Sequence, residues 1–97
     1  MKQVEIQATF QYGASDSMDA IEGHIQVVKG WVWNSDGVRI KDFVKIEKTP
    51  DFGMRYDLTY VFIVKATTFE QAIEEFRKMT TRGKIDYIKE IIVQEEQ

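Results

Sequence analysis

His24-Ile25-Gln26-Val27-Val28-Lys29-Gly30-Trp31-Val32-Trp33 is the stretch on which the fold turns. As a strand it forms a hairpin with the residues that follow; as a helix it separates two strands. Helical spacing is present, because Met18, Ile21, Ile25, Val28 and Val32 fall three or four residues apart. Gly23, Gly30, the β-branched content and two tryptophans weigh the other way, since glycine is a poor helix residue and branched or aromatic side chains suit a pleated surface. The balance favours a strand from about His24 to Trp33. Before it, Ser15 or Ser17 would cap a short helix carrying Met18 and Ile21, with Asp16 and Asp19 favouring its N-terminus.

Working outward, Asn34-Ser35-Asp36-Gly37 reads as a hairpin turn, because Asp-Gly supplies the positive φ angles of a tight primed turn. Val38 to Lys48 is then the return strand, setting Trp33 against Ile40, Trp31 against Asp42, Val27 against Ile46 and Gly30 against Phe43. Thr49-Pro50-Asp51-Phe52-Gly53 ends it with turn residues and holds the only proline. Met54 to Lys65 alternates through a third β run whose far end, with Val61 and Ile63, is apolar on both faces and so belongs in the middle of the sheet.

At the N-terminus, Val4, Ile6, Ala8, Phe10 and Tyr12 alternate with polar residues, the pattern of a strand with one buried face. Toward the C-terminus, Thr67 with Glu70, or Thr68 with Gln71, makes a capping box. Phe69, Ala72, Ile73, Phe76 and Met79 then form one apolar helix stripe, and Arg82-Gly83 is a stop signal. Lys84 to about Gln94 reads as a final strand, with Glu95-Glu96-Gln97 as a frayed tail.

The expected fold is therefore a single α+β domain over residues 1–97, in two layers: a mostly antiparallel sheet of about five strands with one main helix on one face. A ferredoxin-like arrangement is the alternative if the Ser15 to Val28 region is a true helix. The chain has 97 residues, 43% of them hydrophobic and 12% aromatic, enough to close one core. It has no cysteine, so neither disulfides nor thiolate chemistry is available. No leader pattern and no apolar run of membrane-spanning length is present, so the expectation is a soluble cytoplasmic protein.

The net charge of −3 weakly repels nucleic acid. Arg39, Lys41, Phe43 and Lys45 nevertheless alternate along one strand as a basic stripe with an aromatic inside it, a layout used by single-strand binders. Trp31 and Trp33, sharing one strand face, would make a stacking platform or interface anchor. With Tyr60 they could also line a small-molecule pocket between helix and sheet. Asp16, Asp19, Glu22 and His24 carry metal-ligand chemistry at a spacing that matches no calcium loop, and no metal or cofactor is expected. His24 is the sole histidine, no phosphate cradle or nucleophile elbow is present, and the expectation is a protein that is not an enzyme.

One argument from dimensions points to partners. A five-stranded sheet is about 24 Å wide, whereas a helix from Thr68 to Thr81 is about 20 Å long and about 10 Å across. Such a helix leaves an aromatic sheet face partly bare. This suggests an interaction protein that binds or inhibits a protein partner, as a homodimer or other homo-oligomer, of a kind that would suit a phage or mobile-element accessory protein. Nucleic acid along the basic stripe and a small molecule in the pocket are the alternatives.

Overall fold

Asp16 decides where the second element begins. Its carboxylate accepts the Asp19 N–H at 2.8 Å, which caps a helix rather than a loop. That helix, α1, runs unbroken over Ser17–Trp33 and contains the whole stretch expected to be a strand. The computed structural model describes residues 2–49 and 53–91. Around α1 it places β1 (Lys2–Gly13), β2 (Val38–Lys48), β3 (Arg55–Ala66), α2 (Phe69–Met79) and β4 (Lys84–Ile91). The turn residues Pro50, Asp51 and Phe52, and everything after Ile91, including the expected end of the last strand and the tail, lie outside the described residues.

The sheet has four strands rather than five, in the order β2-β3-β1-β4, with every neighbouring pair antiparallel. With element order β-α-β-β-α-β, this is the ferredoxin-like arrangement. The hairpin expected at Asp36-Gly37 is instead the link from α1 to β2. Gly37 does adopt a positive φ, 141°, but β2 pairs with β3, Ile40 facing Phe62 and Phe43 facing Tyr60. None of the pairings between residues 24–33 and β2 forms.

Burial explains why helix wins over local preference. Ala20, His24 and Val28 lie at i, i+4, i+8 and are all buried. Ile21, Ile25, Trp31 and Val32 pack around them on the same core. Gly23 leaves room for a side chain from β1: a Cβ there would stand 2.6 Å from the Tyr12 hydroxyl.

The core lies between the two helices and one face of the sheet. Val4, Ile6, Ala8 and Phe10 of β1 alternate inward, as do Leu58, Tyr60, Phe62 and Val64 of β3. The helix α2 is capped by Thr68, whose hydroxyl accepts the Gln71 N–H at 3.0 Å, and it drives Phe76 against Phe62 with ring centroids 5.2 Å apart. With α1 present, the aromatic face is covered by two helices. Among the described residues the second face has no helix on it. Even so, Thr59, Val61 and Ile63 of the central strand β3 are buried there. No helix of the described residues is long and apolar enough to cross a membrane.

Candidate binding cleft at the end of β1

Among the described residues β1 has 12 and β4 has 8. β4 pairs with β1 from Gln3 to Thr9, where Lys84 is the last partner, so Gln11 to Gly13 continue past it. A register shift between Gln7 and Ala8 bulges β4 at Asp86. Upstream of β4, the 80–83 loop is tied down by Arg77, whose guanidinium donates to the Arg82 carbonyl at 2.8 Å and the Gly83 carbonyl at 3.0 Å. Gly83 has φ 88°, and a Cβ there would collide with the Phe10 ring. Bare backbone against an aromatic ring thus forms one side of the opening.

The result is a cleft of about 570 Å³ where the strand outruns its neighbour. The half-buried Trp31, backed by the buried Phe10 and His24, forms an aromatic wall, while Thr9, Gln11, Asp57, Arg82, Lys84 and Asp86 supply polar groups. A second hollow of about 260 Å³ shares Gln11 and Arg82 with it and reaches Tyr12, Gly13 and Arg55. A largely preformed concavity of this size, apolar on one side with a few convergent polar groups, has the build of a binding site.

His24 anchors the wall. Its ring is 3% exposed and packs against Tyr12, Phe10, Tyr60 and Trp31 at centroid separations of 5.1 to 6.0 Å. Its Nδ1 shares a 2.8 Å hydrogen bond with the Tyr60 hydroxyl. Burial lowers the imidazole pKa to about 4 and raises that of the Tyr60 phenol. At neutral pH both groups are uncharged, as a buried hydrogen-bonded pair must be. On the open side, the Thr59 hydroxyl donates to Thr9 at 2.8 Å and Thr9 donates to Asp86 at 2.7 Å, a chain across three strands that holds the Asp86 lip in place.

The expected site residues do not gather in one place. Trp31 lines the cleft and Tyr60 supports it from within, but Trp33, two residues further along a helix, projects elsewhere and is 87% exposed. Arg39, Lys41 and Lys45 share the open sheet face, whereas Phe43 turns into the core with its ring 5.3 Å from Tyr60. Two irregularities, at Lys41 and Val44, cause the split by shifting the inward and outward alternation. Lys41 reaches Glu5 at 2.7 Å and Lys45 reaches Glu47 at 2.9 Å, so two of these cations are paired. Asp16 is spent on the helix cap and His24 on the core; among the described residues no group of three or more acidic, histidine or cysteine side chains could hold a metal.

Sequence reasoning missed Phe10, Gln11, Arg82 and Gly83 as a site. The available signal was a glycine following Arg82 that does more than end a helix. The chain matches no protein-family model and no curated protein.

Proposed function

We propose that this chain is a non-enzymatic interaction domain that binds, and through binding inhibits or regulates, a partner protein at the cleft beside the end of β1. The observation that carries this reading is the juxtaposition of the Phe10, His24 and Trp31 wall with strand residues Gln11 to Gly13 that extend past β4. Aromatic walls beside polar rims are where interfaces concentrate their energy. The sole histidine supports a binding role, because it is committed to Tyr60 and held neutral inside the core.

The test is capture of a partner by the wild-type protein and by a Trp31→Ala/Arg82→Glu variant. Loss of at least tenfold in affinity is the expected result, since a central aromatic anchor and a charged rim residue are both removed. Equal capture by the two proteins overturns the assignment. A small metabolite is the second reading, favoured by a cleft volume within the usual ligand range; it predicts a change in Trp31 fluorescence with the metabolite alone. The nucleic-acid reading loses its stacking ring with Phe43 in the core. The homodimer reading loses its premise, because α1 covers the face expected to be bare.

A further inference from the structure

The geometry points to an extended peptide with a free C-terminal carboxylate as the cleft's occupant, added as a strand to β1 in line with β4. This rests on the cleft being the partner-binding site, and it specifies how the partner is held.

The argument starts from backbone direction. The Ala14 N–H donates to the Met54 carbonyl at 2.9 Å, continuing a β1–β3 register that runs without a shift from Lys2 to Gly13. Facing residues of an antiparallel pair alternate between exchanging two hydrogen bonds and exchanging none. Even-numbered residues of β1 therefore bond to β3, and odd-numbered ones turn their N–H and C=O toward β4. β4 serves that edge as far as Thr9. Gln11 and Gly13 are the next odd positions and both are exposed; Gln11 lines both adjoining hollows and Gly13 the second. An extended peptide can take up such groups with the same ladder that β4 uses.

Direction and charge then define the end of the peptide. A strand antiparallel to β1 and collinear with β4 runs from Gly13 toward Gln11, so its C-terminal end arrives where β4 begins. It cannot continue, because Lys84 already occupies the place opposite Thr9. Four charged residues line the cleft: Asp57 accepts from Thr49 at 3.2 Å and Asp86 from Thr9 at 2.7 Å, whereas Arg82 and Lys84, at this stop, take part in no ion pair among the described residues. A terminal carboxylate between two cations is the charge-complementary way to finish the strand. Side chains of the bound segment that point to the helix side meet the half-buried Trp31, backed by the buried Phe10 and His24, which gives the site apolar selectivity near the peptide's end.

The experiment uses the intact protein and a displayed library of linear peptides with free C-termini. A selected peptide is then synthesised in three forms: free acid, C-terminal amide, and N-methylated at the backbone amide placed opposite Gln11. Trp31 fluorescence reports occupancy, and residue-resolved amide exchange reports strand addition. The inference expects slowed exchange at Gln11 and Gly13, at least tenfold weaker binding of the amide and of the N-methyl peptide, and a similar loss with Arg82→Glu. Occupancy without protection of Gln11 and Gly13, or equal binding of acid and amide, overturns the strand-and-carboxylate mode while leaving the cleft as a binding site. A selection that returns no carboxylate-ended binder also overturns it. Partner capture indifferent to Trp31→Ala/Arg82→Glu is the separate result that removes the parent reading.

Discussion

Two buried polar residues, His24 and Glu5, set how the fold responds to acid, and they act in different pH windows. In the folded protein burial keeps His24 neutral down to about pH 4, whereas an exposed histidine takes a proton near 6.5. Between those values the unfolded chain binds more protons, so stability falls as pH drops from about 6.5 to about 4. A His24→Gln variant, followed by denaturant unfolding across that range, should show a flatter profile. Glu5 is 3% exposed on the open face and accepts from Lys41 at 2.7 Å and Tyr87 at 2.7 Å, with Lys89 at 3.3 Å. The hydrogen bond from Lys41, foremost, lowers its pKa to about 2, against the desolvation that opposes it. Its contribution is complete above about pH 4.5 and is lost as pH falls through about 2. The lysine side chains are 51% and 61% exposed and return to water if the carboxylate is removed. Glu5→Gln should therefore cost about 1–2 kcal/mol at neutral pH, measured by chemical denaturation, and not the larger penalty of a fully buried broken pair. The residue scale was partly legible: the sole histidine stood out, but its burial needed the helix, and Glu5 gave no sign of being other than a solvated strand residue.

At the scale of elements, α1 holds the main lesson and a paired prediction of opposite sign. Its two interior glycines argue equally for a strand when only propensity is weighed, yet they sit in different surroundings. Nothing lies within 4 Å of a Cβ built on Gly30. Gly30→Ala should thus stabilise the protein by about 0.5–1 kcal/mol, the ordinary gain of alanine over glycine in a helix. At Gly23 the same change meets the Tyr12 hydroxyl at 2.6 Å and its ring at 3.1 Å, so packing strain of about 1–3 kcal/mol outweighs the propensity gain. A Tyr12→Phe background removes the nearest atom and should recover part of the loss, a coupling that a double-mutant cycle on thermal or denaturant unfolding measures directly. Strand β1, strand β3 and helix α2 were readable because their periodicity and their burial agree. In α1 the helical spacing from Met18 to Val32 was present but was outweighed by two glycines, of which Gly23 serves close packing. In β2 the irregularities at Lys41 and Val44 break the simple alternation, which is why Phe43 was assigned to the same face as the lysines.

For the molecule as a whole, the open sheet face poses the physical problem of how a single-sided two-layer domain keeps its second face wet without exposing apolar surface. The answer lies in one long side chain. β3 separates β2 from β1, yet Lys41 of β2 touches Glu5 of β1 at 2.7 Å, so its stem must cross β3. Ile63 faces Glu5 and Val61 faces Gln7 in the β1–β3 register, and these two apolar residues are only 2% and 6% exposed. The aliphatic part of Lys41 is thus carried over β3, where these two residues lie, and its ammonium ends on Glu5 in the interior of the sheet. The extra residue in β2 at this position helps to aim that side chain inward over the sheet. Stem and charge can be separated. Lys41→Met keeps the cover but takes the donor from the buried Oε1 of Glu5, whose second oxygen still has Tyr87 and Lys89; it should cost about 1–3 kcal/mol. Lys41→Ser removes the cover as well, baring Val61 and Ile63 in the centre of a flat face, and should cost clearly more. It should also bind a hydrophobic dye and self-associate in sedimentation relative to the wild type, because a contiguous apolar patch on an open sheet invites a second copy. If the serine and methionine variants behave alike, the ion pair and not the stem keeps this face closed.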